Sequence, residues 1–114
     1  MRNAPARGEI WDLDLSPTRG REQAGRRPAL VESVDLFNEG PADLVVVVPL
    51  TRTNRRVRWH VPVEPPEGGL KSVSFLMVEN VRSVLRDRLV RLRGRVDPAT
   101  VVAVEDRLRI LMGL

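Results

Sequence analysis

The pattern of apolar and polar residues predicts several short strands followed by one helix. Residues 9–15 alternate with a period of two, which is typical of a half-buried strand. One face carries Trp11, Leu13 and Leu15, and the other carries Asp12 and Asp14. Residues 44–50 form a continuous Val-rich run, which indicates a strand buried on both faces. Further strands are predicted over residues 28–33, 56–63, 73–78 and 88–96.

Within residues 56–63 the alternation predicts an apolar face and a polar face. The apolar face would carry Val57, Trp59, Val61 and Val63, and the opposite face Arg56, Arg58, His60 and Pro62. Residues 64–69 contain two prolines and two glycines, which predicts a loop. Residues 34–39 are predicted to form a turn or a helical turn that ends at Gly40-Pro41, and Gly94 is expected to allow a bend or a bulge.

The C-terminal residues carry helix signals. Asp97 is a suitable N-cap, Pro98 suits the first helical position, and Gly113 is a suitable C-terminal stop. Apolar side chains recur on one helical face at Val101, Val104, Leu108, Leu111 and Met112. The order of elements predicts a mainly β fold, a small antiparallel barrel with a C-terminal α-helix.

Length and composition narrow the class of protein. With 114 residues, 42% hydrophobic and 30% charged, the chain is predicted to be one folded globular domain. The absence of cysteine excludes disulfides and thiolate metal sites, and a single histidine argues against a zinc site. No apolar run approaches the roughly 20 residues of a membrane span. Residues 1–6 lack the apolar segment of a signal peptide, so the protein is expected in the cytoplasm. These residues are expected to form a flexible leader, followed by a single domain at 7–114.

The net charge of +4 is concentrated in one segment. Residues 52–58 contain four arginines and no acid, while the other 15 basic residues balance the 15 acidic ones. A local cationic patch is the usual electrostatic signature of a polyanion site.

A second basic segment, residues 19–28, joins two predicted strands. It contains four arginines, Glu22, Gln23 and two glycines that permit a tight turn close to a ligand. Planar, permanently charged guanidinium groups match phosphate geometry. The segment therefore suits a phosphodiester, although its composition alone favours a solvated hairpin loop with surface charges.

The residues of this segment and of several others resemble the MazF/PemK family of toxin endoribonucleases. The matching segments span nearly the whole chain after the leader: residues 7–11, 17–31 and 47–51, then Glu79-Asn80-Val81-Arg82, Arg88-Leu89, Gly94-Arg95-Val96 and the C-terminal helix. The resemblance implies an SH3-like barrel and a metal-independent, sequence-preferring endoribonuclease with no cofactor. Such a toxin cleaves single-stranded RNA or mRNA to a 2′,3′-cyclic phosphate and a 5′-hydroxyl, and it slows translation and growth.

By this resemblance, Arg27 and Thr51 match the catalytic arginine and threonine of the family. Arg27 precedes Pro28, which favours an extended backbone, and Thr51 follows the Val-rich strand. Both are therefore expected at strand ends, where sites commonly form. Attack by the RNA 2′-hydroxyl builds charge on the phosphoryl oxygens, which Arg27 can stabilise while Thr51 hydrogen-bonds the phosphate or orients the attacking group. The general base stays unassigned, because arginine is a poor base.

A wider set is predicted to contact RNA: Arg21, Glu22, Gln23, Arg52, Thr53, Arg56, Arg58, Glu79 and Asn80. Glu22 and Gln23 suit base edges, and the arginines suit phosphates. Glu79 and Asn80 match an acidic-amide pair of the family, in which glutamine is common where Asn80 stands. Simpler interpretations are loop solvation for Glu22 and Gln23 and a charged edge strand for the arginines. His60 is expected at the surface or rim, and Trp11 and Trp59 in the core or a dimer interface.

The resemblance also implies partners. A homodimer is expected, with the RNA groove across its two-fold axis, and so is a MazE-like antitoxin whose acidic, disordered tail covers the cationic surface. Two alternatives remain at this point. One is a non-enzymatic toxin of the same fold that binds a protein such as DNA gyrase, although such toxins lack the Arg27-type loop. The other is a nucleic-acid-binding barrel without catalysis.

Overall fold

The computed structural model describes residues 4–15 and 26–114. In chain order its strands and helices are β1 (Glu9–Asp14), β2 (Arg26–Val31), α1 (Asp35–Asn38), β3 (Leu44–Thr51), β4 (His60–Val63), β5 (Ser74–Met77), β6 (Arg82–Leu85), β7 (Leu89–Arg95) and α2 (Pro98–Met112). Short 3-10 turns lie at Glu67–Gly69, Val78–Asn80 and Arg86–Arg88. No helix in these two ranges is long and apolar enough to cross a membrane.

The seven strands form one antiparallel sheet in the order β4-β5-β3-β2-β1-β7, with β6 paired to β3. The two halves of β3 pair with different strands, because Leu44–Val47 faces β6 and Leu50–Thr51 faces β5. The prediction of a mainly β, antiparallel fold with a C-terminal helix is confirmed. Within the described residues β4 and β7 do not pair, so the sheet is barrel-like rather than closed.

Two apolar clusters fill the interior, and β3 contributes to both. Val48 and Leu50 belong to a cluster that includes Ile10, Leu76 and Val104. The other cluster contains Val45, Val47, Leu13, Ala29, Val31, Val84 and Leu89, with Trp11 packed against it. The prediction that the Val-rich strand is buried on both faces is therefore confirmed.

The helix α2 packs through Val104, which is fully buried, with Val101 and Leu108 half-buried beside it. Leu111 and Met112 were predicted on the same buried face but are 37% and 63% exposed. Both lie in the last turn, beyond the 3-10 turn at Val78–Asn80 and β4 on which α2 packs. Gly113 ends the helix in the left-handed conformation, as predicted.

The predicted N-cap is only half right. Asp97 occupies the N-cap position with an extended backbone, but its side chain makes no capping hydrogen bond. Glu67 contacts the start of the helix from the preceding loop instead. Its Oε2 accepts the Asp97 N–H at 2.9 Å and the Thr100 hydroxyl, so the loop at 64–69 is fastened to the first turn of α2.

Two further predictions about strands were wrong in part, and one strand was missed. The strand predicted over residues 56–63 begins only at His60, because Arg56 has a left-handed backbone with φ of 56°. Leu15 lies outside β1 and is exposed, whereas Asp14 is 4% exposed and pairs with Arg26. The strand β6 was not predicted.

Gly94 allows an irregularity in β7, as predicted. The register of β1 against β7 shifts between Ile10 and Trp11, next to Gly94. A Cβ at Gly94 would lie 2.7 Å from backbone atoms of Gly68 and Gly69, so the loop at 64–69 crosses directly over β7.

At the other end of the chain, Pro5 and Ala6 are buried, and the Pro5 carbonyl accepts a hydrogen bond of 3.0 Å from the Asn38 side chain.

Candidate active site

Arg27 and Thr51 meet where β2 and β3 separate. The last paired residues of these strands are Ala29 and Pro49, and the same antiparallel register continued by two residues would set Arg27 opposite Thr51. Arg27 is exposed and Thr51 is half-buried. Both line one groove. The expectation that these residues lie at strand ends is confirmed, and the fold brings them to a common surface.

The groove has a volume of about 650 Å³. This is within the range of sites that hold small molecules or parts of larger ones. In the sheet β3 lies between β2 and β5, so Thr51, at the end of β3, has β2 on one side and β5 on the other. Among the described residues, the groove is lined by no carboxylate and by six cations: Arg26, Arg27, Arg52, Arg55, Lys71 and Arg93.

Two of these cations are partly neutralised by carboxylates of β1. Arg26 Nε lies 3.8 Å from Asp14 Oδ2, and Arg93 Nη1 donates to Asp12 Oδ1 at 3.0 Å. The other four make no ion pair within residues 4–15 and 26–114. Within the described part of the chain the groove therefore carries an excess of positive charge, which favours an anionic ligand.

The hydroxyl of Thr51 is oriented by its own loop. Its Oγ1 accepts the backbone N–H of Thr53 at 3.2 Å. A threonine hydroxyl has one proton to donate and two lone pairs. The contact with Thr53 uses one lone pair, and the proton stays available for a phosphoryl oxygen in the groove.

The predicted RNA-binding residues are distributed unevenly around this groove. Arg52 and Thr53 line it together with Arg27 and Thr51, whereas Arg56 and Arg58 are exposed residues outside its lining. Asn80 lies at its border, because its Nδ2 is 3.5 Å from Sδ of Met77, a lining residue. Arg21, Glu22 and Gln23 lie outside the described residues. The roles of all these residues in RNA binding stay predictions.

His60 does not lie at the surface as expected. It is 8% exposed, and its Nε2 is 2.8 Å from Oε2 of Glu79. His60 pairs with Met77 across β4 and β5, so the contact lies beside the groove. Its Nδ1 is buried and has no hydrogen-bond partner within the described part of the chain. The imidazole therefore fixes the carboxylate of Glu79 from the interior.

Sequence reasoning missed part of the groove. The missed lining residues with polar or polarisable side chains are Arg26, Lys71, Ser72, Ser74, Met77 and Arg93. Arg55 lay in the basic segment but was not selected. The residues on β5 and β7 carry no local signal, because only the pairing of distant strands brings them beside Thr51. Among the described residues, no group of three or more His, Cys, Asp or Glu side chains is placed to hold a metal.

Comparison with known proteins identifies the family. A family profile described as PemK-like, MazF-like toxin of type II toxin-antitoxin system matches residues 6–112. The chain belongs to this toxin family.

Individual relatives agree with the family match. The chain is 34% identical over 113 residues to endoribonuclease MazF9 of Mycobacterium tuberculosis, covering 95% of this chain and 96% of MazF9. It is 28% identical over 109 residues to endoribonuclease EndoA of Bacillus subtilis, covering 95% and 94%. A solved mycobacterial endoribonuclease in complex with its cognate antitoxin has the same fold, with a TM-score of 0.80, 29% identity and 97% of each chain covered.

Proposed function

We propose that this member of the toxin family is a metal-independent, sequence-preferring endoribonuclease that cleaves single-stranded RNA and so inhibits translation and growth. The observation that carries the proposal is that Arg27 and Thr51 line one groove whose charged lining, among the described residues, is entirely cationic. The relatives that are named endoribonucleases support the same activity.

The reaction needs little from the protein, because RNA supplies its own nucleophile. The 2′-oxygen attacks the adjacent phosphorus, the bond from phosphorus to the 5′-oxygen breaks, and a 2′,3′-cyclic phosphate and a 5′-hydroxyl result. A base takes the 2′-hydroxyl proton, and the departing 5′-oxygen gains a proton. Negative charge grows on the phosphoryl oxygens, where Arg27 supplies a permanent charge and Thr51 a hydroxyl donor. The base and the acid stay unassigned.

The proposed protein partner is a MazE-like antitoxin with an acidic, disordered tail. A related mycobacterial toxin has been solved in complex with its cognate antitoxin. The uncompensated cations of the groove offer an acidic tail favourable charge complementarity. Such a tail would occupy the same surface as RNA, so the complex should not cut RNA.

We also propose a homodimer in the cytoplasm, with the RNA groove running across the two-fold axis. Large apolar side chains are exposed on β6, β7 and α2, and they include Leu85, Val90, Leu92, Val102 and Ile110. A chain of this size gains stability by covering such surface with a second copy. Sedimentation at micromolar concentration should show a dimer, and a monomer would contradict this part of the proposal.

The test of activity is incubation of the purified protein with a mixed RNA in excess EDTA. We expect cleavage without added metal and protection by the antitoxin. Binding of RNA without cleavage would indicate a nucleic-acid-binding module, and neither binding nor cleavage would favour a toxin that acts on a protein target.

A further inference from the structure

The groove has cations from two separate parts of the fold. Arg26 and Arg27 line it from β2, and Lys71 lines it from the segment that leads into β5. Lys71 follows the 64–69 loop, which crosses β7 at Gly94. One anionic group held by Arg27 and Thr51 would not neutralise Lys71.

Lys71 is the only lysine of the chain. It is exposed and makes no hydrogen bond or ion pair within residues 4–15 and 26–114. Its backbone is nevertheless held in place. Leu70 is buried in the core on one side, and on the other the buried Ser74 donates its hydroxyl to the Ser72 carbonyl at 3.0 Å. Only the side chain of Lys71 has to be ordered when a ligand binds, so the entropy cost of binding is limited.

We propose that Lys71, with the exposed hydroxyl of Ser72, forms a second phosphate subsite, which holds a phosphate adjacent to the one at Arg27 and Thr51. The proposal rests on the proposed function, because it assumes that a polynucleotide occupies the groove. A polynucleotide that runs along the groove presents a phosphate at every nucleotide, so with one phosphate at Arg27 and Thr51 an adjacent phosphate is available to Lys71, which lines the same groove. An ammonium group is a mobile point charge, which suits a phosphate that must be held but not chemically altered.

The first experiment measures binding without cleavage. A short mixed-sequence 2′-O-methyl RNA is titrated against the full chain by fluorescence anisotropy at several salt concentrations. The Lys71→Gln variant should bind about fivefold more weakly than wild type. Its slope of log affinity against log salt should be shallower by about 0.7, the value for one lost phosphate contact on a single strand. The matched control is Arg109→Gln, which removes an exposed charge on α2 outside the groove and should leave both quantities unchanged.

The second experiment assigns the subsite to one phosphate. In the uncleavable RNA, a neutral methylphosphonate replaces single phosphates on either side of the cut site mapped for the wild type. At one flanking position the replacement should weaken binding to wild type about fivefold but have no further effect on Lys71→Gln. Additive losses at every position, or wild-type affinity and slope in Lys71→Gln, would overturn the proposal.

These results separate the subsite from the proposed function. If the wild type does not cut RNA, the endoribonuclease assignment fails, but the loss of affinity and slope in Lys71→Gln would still support the phosphate subsite. If the wild type cuts RNA and Lys71→Gln shows neither loss, the subsite fails and the activity stands.

Discussion

Arg27 supplies a permanent positive charge at the point where β2 and β3 separate, opposite Thr51. Because this charge would act on the developing phosphoryl charge, Arg27→Ala should lower the cleavage rate by about 10²–10³. Thr51→Ala should give a smaller but clear loss, since it removes a neutral donor. The measurement is the single-turnover rate on a defined RNA. Arg91→Ala, which removes an exposed arginine from β7 outside the groove, is the control and should cut at the wild-type rate.

The outcome that contradicts this role is a well-folded Arg27→Ala protein with wild-type turnover. The melting temperature of each variant establishes the fold independently of activity. Arg27 is exposed, so its replacement should shift the melting temperature little.

The contact between His60 and Glu79 permits a second residue-level prediction. If Glu79 recognises a base, the buried imidazole holds its carboxylate in the orientation for recognition. His60→Gln and Glu79→Gln should therefore relax the sequence preference in the same way, and the double variant should be no more relaxed than either single variant. Sequencing of the RNA ends produced from a randomised pool measures the preference. An unchanged cut-site profile in His60→Gln, with a normal melting temperature, would show that the contact only stabilises the fold.

At the scale of elements, the crossing of the 64–69 loop over β7 depends on glycine. Gly69 and Gly113 share a φ of 71°, but a Cβ on Gly69 would lie 2.0 Å from the Arg93 carbonyl oxygen, while a Cβ on Gly113 would meet nothing within 4 Å. Both alanine variants incur the cost of a left-handed backbone, about 1–2 kcal/mol. Gly69→Ala should lose a further 1–3 kcal/mol or so, because a backbone has to move.

Chemical denaturation of the two alanine variants measures this difference directly. Equal losses of unfolding free energy would show that the loop adapts without strain, and that its close approach to β7 does not depend on glycine at position 69.

The sequence predicted those elements whose signals are local. The Val-rich run of β3 and the period of Val101, Val104 and Leu108 are visible in the chain itself. The strand β6 was missed because only Val84 of its four residues is buried, so its sequence has no clear alternation. It is stabilised as a strand mainly by its pairing with residues 44–47 of β3. The alternation in residues 56–63 was misleading before His60, because periodicity does not reveal the left-handed backbone of Arg56.

The candidate site likewise contains residues that a local sequence signal marks and residues that it does not. The family resemblance identified Arg27 and Thr51 from contiguous motifs. Lys71 and Arg93 reach the groove only through the pairing of β5 with β3 and of β7 with β1, and no motif marks them. Lys71 and Arg93 could be recognised as groove residues only in the folded sheet.

At the scale of the whole molecule, one charged network ties the N-terminal segment to the fold. Arg7 Nη2 contacts Oε2 of Glu32 at 3.1 Å and also contacts Glu105 on α2, and Arg7 Nε donates to the Glu32 carbonyl at 2.9 Å. Glu32 is buried, and its Oε1 has no partner within the described residues. Burial, together with the charge of the nearby Glu105, raises the pKa of the Glu32 carboxyl above its ordinary value, although the hydrogen bond and the charge of Arg7 lower it.

A raised pKa in the native state means that folding favours the protonated carboxyl. The stability contributed by Glu32 is therefore full below the ordinary pKa of 4.5 and is lost as the pH rises through the higher native value. Glu32→Gln cannot ionise, so its unfolding free energy relative to wild type should increase with pH over that interval. Denaturant unfolding of both proteins between acid and neutral pH measures the difference. A flat difference would show that the ion pair with Arg7 balances burial, and a decreasing one that it outweighs burial; either would contradict the prediction.

The proposed activity of the whole molecule is cleavage of RNA with the 2′-hydroxyl of the substrate as the nucleophile and without a metal. The direct measurement compares an RNA that contains the mapped cut site with the same RNA carrying a single 2′-deoxy nucleotide at the cut position, both in excess EDTA. We predict cleavage of the first to a 2′,3′-cyclic phosphate and a 5′-hydroxyl, and resistance of the second. Cleavage of both at equal rates, or activity that EDTA removes and magnesium restores, would contradict the account.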